Sequence, residues 1–190
     1  MADQTLIYNT ENLDYIANAF VKGIDAAKTF FNYDASNLPI KVTVSQKSDA
    51  KGPIYFHGDD IIGLPFNFLR EYIMEDMTLD SLQQHKIKIG FPIAEKKMVP
   101  FSDWLTAGGI EETIHLLQNR GHRDIKESLP VWNGYSRSTK LNQLLASHEV
   151  EARSFADKIL PTVGIQPMWS ELDHYLKETY LDRYGKPATH

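Results

Sequence analysis

Cysteine is absent from the sequence. Disulfide bonds and thiolate metal ligands are therefore excluded. Any metal site in this chain would have to be built from histidine and carboxylate side chains.

An excess of basic residues is also lacking. Lys and Arg total 20 against 25 Asp and Glu, which gives a net charge of −5. Nucleic-acid-binding domains usually carry a basic stripe, so a nucleic-acid partner is not expected. No apolar run approaches the length of a membrane span, and residues 1–15 lack the basic and apolar regions of a signal peptide. We therefore expect a cytoplasmic protein without a membrane partner.

The chain of 190 residues is long enough for one domain with a sizeable core. Helices are predicted where apolar residues recur every three or four positions, and strands where they alternate. The predicted helices cover residues 11–31, 66–77, 110–120, 145–161 and 168–185. Strands are predicted at 40–45, half-buried, and in two short pieces within 52–66; residues 78–106 are predicted to be loop-rich, with Pro92 and Pro100 as breakers. This order predicts a single α+β domain over residues 1–190.

The first chemical motif is Glu-Glu-Thr-Ile-His at residues 111–115, directly after Gly108, Gly109 and Ile110. Positions four apart share a face of a helix, so Glu111 and His115 point the same way, with Glu112 beside them. Zinc-peptidase helices use this spacing to hold a metal ion, and a neighbouring glutamate activates water.

The second motif is the helix sequence Glu-Val-Glu-Ala-Arg-Ser-Phe-Ala-Asp-Lys-Ile-Leu-Pro at residues 149–161. Glu149 or Glu151 could supply a third ligand from a separate helix, as an open catalytic metal site requires. Arg153 lies one turn after Glu149, and we expect it to bridge toward Glu111 and Glu112 and to compensate the charge of these clustered carboxylates.

Together the two motifs resemble compact gluzincin-type metallopeptidases of the ImmA/IrrE kind, over residues 40–160. In that family an H-E-x-x-H helix is followed by a helix of the form E-x-E-A-N-x-F-A-x-x-L-L-x-P. The resemblance implies a zincin-like α+β domain with a small sheet, an active-site-type helix and a following glutamate helix. It implies Glu112 as general base, His115 and Glu149 as ligands with Glu151 as the alternative, and strand segment 53–65 beside the substrate cleft.

One departure from the family pattern is Glu111, which stands where the first histidine would be. The change adds a negative charge and replaces a nitrogen donor by a hard oxygen, which favours manganese, iron or magnesium over zinc. An extra carboxylate also weakens the Lewis acidity of a bound metal. The cofactor expected is therefore a divalent metal (Zn, Mn or Fe), or none if the site is degenerate.

Two functions are compatible with these motifs. The first is a metal-dependent hydrolase acting on peptide bonds, and the second is a catalytically inactive zincin-like protein that binds a peptide or protein partner. His57 and Tyr135 are candidate substrate-cleft residues, the tyrosine as a donor to an oxyanion. The sequence leaves the oligomeric state open.

Simpler interpretations exist for the same residues. Glu111 and Glu112 could cap the first turn of a helix that opens after Gly109. His115 could be a core histidine, and His57 could shape a turn between strands. Glu149 and Glu151 could lie on a solvated helix face, or form an ion pair with Arg153. A ferritin-like di-iron site would need long bundle helices, which the predicted elements do not provide.

Overall fold

The computed structural model describes residues 8–34, 39–45, 52–56, 58–74, 76–89, 97–128 and 146–170. The helices are α1 (Thr10–Phe30), α2 (Phe66–Ile73), α3 (Leu79–Gln84), α4 (Phe101–Asn119) and α5 (Ser147–Ile159), which continues into a 3-10 turn at Leu160–Val163. The strands are β1 (Lys41–Ser45), β2 (Ile54–Phe56), β3 (Ile61–Pro65), β4 (Lys86–Ile89) and β5 (Lys97–Pro100). The predicted α+β class is confirmed. None of the helices within these ranges is long and apolar enough to cross a bilayer.

Helix α1 begins as the sequence predicts. The side chain of Asn9 caps it by accepting a hydrogen bond from the backbone N–H of Asn12 at 3.2 Å. The periodic residues Ile16, Phe20 and Ile24 are buried and face the core. This face packs along α4, and the pair forms the centre of the fold.

Helices α1 and α4 approach each other backbone to backbone. A Cβ atom on Gly23 would lie 2.0 Å from the carbonyl oxygen of Thr106, and one on Gly109 would lie 2.2 Å from the carbonyl oxygen of Phe20. The Thr106 hydroxyl donates to the carbonyl oxygen of Ala19 at 2.9 Å across the same contact. The two glycines therefore fix how closely the helices pack.

Helix α4 begins at Phe101, well before the glycine pair. Glu111 and Glu112 thus lie in its middle, and the interpretation of these residues as a first-turn capping pair is wrong. Gly109 is retained within the helix because α1 leaves no room for a side chain there. Pro100 ends β5 and occupies the N-cap position of α4, so it lies at the boundary between two elements, as a breaker does.

The prediction that residues 78–106 are loop-rich is wrong for the described part of this range. That part consists mostly of helices and strands. Helix α3 is followed by β4, which pairs antiparallel with β5, and β5 runs directly into α4. An aromatic cluster buries the junction, with the ring of Tyr72 stacked on Phe101 at 4.4 Å between centroids.

Three strands form the second sheet, in the order β1-β3-β2. Strand β3 lies in the middle, parallel to β1 and antiparallel to β2, and both α2 and α4 pack on it. The strand predicted at 40–45 is present, but its predicted half-burial is wrong, because Val42 and Val44 are 46% and 47% exposed. As an edge strand β1 is held mainly by β3, so its apolar residues lie outside the core.

The predicted helix at 145–161 is confirmed as α5, with Pro161 in the following 3-10 turn. Its Asp157 carboxylate accepts the backbone N–H groups of Met168, Trp169 and Ser170, which fixes the chain after the turn. Nearly all of the helix predicted at 168–185 lies outside the described residues.

We predict that Gly109→Ala and Gly23→Ala each lower the free energy of unfolding by at least about 2 kcal/mol. Alanine gains about 1 kcal/mol of helix propensity. That gain is outweighed because the new Cβ overlaps a backbone carbonyl that cannot rotate away. Urea denaturation measures the change. Asn18→Ala, at an exposed position of α1, is the control and should be neutral or slightly stabilising.

Candidate metal centre

Glu111, His115 and Glu149 come together between α4 and α5. One ligand atom from each residue can be chosen so that all three lie within 4.8 Å of one another. Glu111 and His115 are one turn apart on α4, and Glu149 lies in the first turn of α5. Helix α5 packs on α4 and buries the small residues Ala152 and Ala156, which places Glu149 at the α4 surface.

The orientation of the His115 ring is set by Gln118. His115 is 7% exposed, and its Nδ1 lies 2.8 Å from Oε1 of Gln118. The amide nitrogen of Gln118 donates to the carbonyl oxygen of His148 at 2.9 Å and to Glu151 at 3.1 Å. Since both of these partners are acceptors, Oε1 is the atom that faces His115, and Nδ1 carries a proton. Nε2 of His115 therefore faces Glu149, with 3.4 Å to its Oε2.

Electrostatics at the cluster favour a charged imidazole. Burial alone would lower the pKa of His115, but the hydrogen bond to Glu149 and the nearby charges of Glu112 and Glu111 outweigh it and raise the pKa to about 10. Burial would raise the pKa of Glu149, but hydrogen bonds from His115 and His148 hold it far below its usual range. The imidazolium thus neutralises part of the carboxylate charge.

The pKa of Glu112 is raised, whereas that of Glu149 is lowered. Burial raises its pKa to about 8; the charge of His115 and the backbone N–H of Tyr55 act against this, and Glu111 and Glu149 add to it. The donation from Tyr55 places strand β2 directly beside Glu112. Strand β2 (Ile54–Phe56), within the segment predicted to border the cleft, is thus the strand next to the candidate general base.

Glu151 lies apart from the three-donor group and has other partners. Its carboxylate accepts the backbone N–H groups of Lys126 and Glu127, each at 2.9 Å, as well as the amide of Gln118. Arg153 is buried rather than on a solvated face, and its Nη1 lies 3.9 Å from Oε2 of Glu149. This contact joins two residues one turn apart on α5, and the predicted bridge from Arg153 to Glu111 and Glu112 stays a prediction.

The two candidate cleft residues cannot be placed relative to the site. His57 and Tyr135 lie outside the described residues, and their assignment to the cleft stays a prediction. Two residues that contact the site, Gln118 and His148, are not predicted from the sequence to be ligands or orienting groups. Nε2 of His148 lies 3.4 Å from Oε1 of Glu149. The signal for Gln118 is its i+3 spacing from His115, which places an amide beside the ring.

A polar network beyond the cluster holds β2 against the end of α4. The Tyr55 hydroxyl donates to Oδ1 of Asp60 at 2.7 Å and accepts from Asn119 at 2.7 Å. Arg120 donates to Oδ2 of Asp60 from Nε and Nη2, at 3.0 and 2.6 Å. Because Tyr55 also donates to Glu112 through its backbone, this network fixes the strand that contacts the candidate base.

The charge of Asp60 should stabilise the fold in a pH-dependent way. Burial would raise its pKa, but hydrogen bonds from Arg120 and Tyr55 lower it. A carboxyl group with a lowered folded pKa stabilises above its unfolded pKa of about 3.9, and this contribution is lost as the pH falls through the folded pKa. We predict that Asp60→Asn is less stable than the unmodified protein at pH 7, and that the difference shrinks below about pH 4.

Urea midpoints measured from pH 7 to pH 3 test this prediction. Asparagine tolerates the positive φ of 53° at position 60, so the substitution removes the charge without adding backbone strain. Asp25→Asn is the control, because Asp25 forms a surface ion pair with Lys28, at 2.8 Å, and removal of its charge should change the midpoint little. A constant difference for Asp60→Asn at every pH would contradict the role given to its charge.

Comparison with protein-family models, curated proteins and solved structures gave no match to this chain. The resemblance to gluzincin-type metallopeptidases therefore stays a prediction made from two sequence motifs. What the site can do has to be argued from its own donors, distances and charges.

Proposed function

We propose that Glu111, His115 and Glu149 bind a divalent cation, and that the protein is a metal-dependent hydrolase of peptide bonds with Glu112 as general base. The observation that carries this proposal is the convergence of three ligand atoms within 4.8 Å, contributed by two packed helices. Joint ligation of one ion needs such convergence, because ligand–metal distances are about 2.0–2.2 Å for nitrogen and oxygen donors.

The chemistry of the donor set fits a divalent cation. With a neutral imidazole, Glu111 and Glu149 supply two carboxylates, which attract a divalent ion. Gln118 keeps the proton on Nδ1 of His115, so the Nε2 lone pair is the one that faces the carboxylates. Three protein donors leave a position for water or substrate. Two oxygens and one nitrogen suit manganese, iron(II) or zinc.

A divalent cation bound here would supply Lewis acidity and lower the pKa of water. Glu112 would accept the proton of the attacking water on its carboxylate and deliver it to the leaving amine nitrogen. Burial raises the pKa of Glu112 in the cation-free protein, and the positive charge of a bound cation would lower this pKa and leave the carboxylate ionised, able to accept a proton. The backbone N–H of Tyr55 holds the carboxylate in place during both steps.

One observation favours the second function, an inactive protein that binds a peptide or protein partner. The half-buried carboxylate of Glu149 already has cationic neighbours, because it contacts both His115 and Arg153. A cluster compensated in this way does not require a metal ion for folding. Under this alternative, the surface beside β2 would serve binding alone.

We predict that manganese, iron(II) or zinc raises the thermal unfolding midpoint, because a ligand bound only by the folded state stabilises it by mass action. His115→Ala should lose this response, whereas His122→Ala, outside the three-donor group, should retain it. Glu111→His should strengthen the zinc response in particular, since imidazole suits zinc better than a second carboxylate does.

The outcomes separate the two functions. No response of the unmodified protein, together with a zinc response of Glu111→His, would favour the inactive binding protein. No response from either protein would remove metal binding altogether.

We further predict that Glu112→Gln keeps cation binding but lowers hydrolysis of a fluorogenic peptide mixture by about 10²–10⁴-fold, the usual contribution of a general base. Glutamine preserves shape and cannot accept the proton. Equal activity of the variant and the unmodified protein would remove Glu112 from the mechanism. Absence of hydrolysis in a cation-loaded unmodified protein would favour the binding function.

A further inference from the structure

We infer that Gln118 and Glu151 are positioning residues that hold the His115 ring with Nδ1 protonated and Nε2 directed at Glu149. The role of this arrangement in cation binding rests on the proposed function, but the arrangement itself can be tested without a cation. It gives Glu151 a task different from the ligand role that its sequence position suggested.

The first step of the argument is the buried amide of Gln118, which is 1% exposed. An amide can present either its oxygen or its nitrogen to a neighbour. Here the nitrogen has two acceptors, the carbonyl oxygen of His148 and the carboxylate of Glu151, at 2.9 and 3.1 Å. A flipped amide would place oxygen against oxygen at both contacts, so Oε1 must face His115.

The second step concerns how Glu151 is itself held. Its Oε1 accepts the backbone N–H of Lys126, and its Oε2 accepts the backbone N–H of Glu127 in addition to the Gln118 amide. Backbone donors cannot turn into acceptors, so they require an acceptor at this position. The carboxylate therefore provides both the anchor for residues 126–127 and the acceptor that orients Gln118.

The third step concerns which nitrogen of the His115 ring carries the proton. Because Oε1 of Gln118 accepts a hydrogen bond at 2.8 Å, the proton sits on Nδ1 of His115. The ring can then offer only Nε2 toward Glu149 and Glu111. Partners of this kind orient a ligating histidine, and their loss typically lowers metal affinity by about 10–100-fold.

Two substitutions test the chain of contacts. Gln118→Met keeps the approximate size and removes the acceptor for the ring N–H. Glu151→Gln places an amide donor against the Gln118 amide or against a backbone N–H, so the orientation of Gln118 is no longer imposed. Leu117→Ala is the matched control, because Leu117 is fully buried beside Gln118 on α4 and its loss weakens packing without removing a hydrogen bond.

The first measurement is made on cation-free protein with ¹⁵N-labelled histidine. A hydrogen-bonded, slowly exchanging Nδ1–H proton of His115 should appear in the NMR spectrum, assigned by its loss in His115→Ala. It should disappear in Gln118→Met, weaken in Glu151→Gln and persist in Leu117→Ala. Persistence of the signal in Gln118→Met, or its loss in Leu117→Ala, would overturn the inference.

The second measurement is the affinity for zinc and manganese, by competition with a chelator. Gln118→Met and Glu151→Gln should each weaken binding by about 10–100-fold, and Leu117→Ala should change it by less than about threefold. Equal affinity of all four proteins would overturn the positioning role. Failure of the unmodified protein to bind either cation, with the NMR signal behaving as expected, would reject the proposed function while supporting the inferred arrangement.

Discussion

The close contact between α1 and α4 is the constraint on which the site depends. At Gly23 and Gly109 the two backbones leave no space for a Cβ atom, so the position of α4 is fixed by main-chain geometry rather than by adaptable side chains. Helix α5 then packs on α4, and β2 approaches it from the sheet. The donors between α4 and α5 and the strand beside Glu112 are consequences of where α1 holds α4.

Burial of charge explains how the donors are arranged around this helix. A buried charge without a partner is strongly unfavourable. Glu149, whose side chain is only partly buried, meets this requirement through His115, His148 and Arg153. Glu151 meets it through backbone N–H groups. Neighbouring glutamates on one helix therefore have different roles, because one faces cations and the other faces amide donors.

The sequence predicted what depends on spacing along a single helix. The four-residue interval of Glu111 and His115, and the existence of α1, α4 and α5, follow from local periodicity. What it could not predict depends on contacts between distant segments. The start of α4 is not predictable from its own residues, because Gly108 and Gly109 resemble a helix boundary. Gly109 is instead required by the close contact with α1. The exposure of Val42 was missed because alternation shows that a strand exists but does not show what covers it.

Glu111 has a physical consequence that reaches beyond its own side chain. With a neutral imidazole, Glu111 and Glu149 carry two negative charges and Arg153 supplies one positive charge. The Nε2 proton of His115 adds a second positive charge, because the hydrogen bond to Glu149 and the charges of Glu112, Glu149 and Glu111 outweigh burial and raise the pKa of that ring. A cation entering the site would take the place of this proton, since both occupy the direction of the Nε2 lone pair. A histidine at position 111 would remove one negative charge, and with it part of the electrostatic attraction that keeps the Nε2 proton on His115. The glutamate at position 111 therefore strengthens the attraction for a cation and, by the same charge, the competition from the proton.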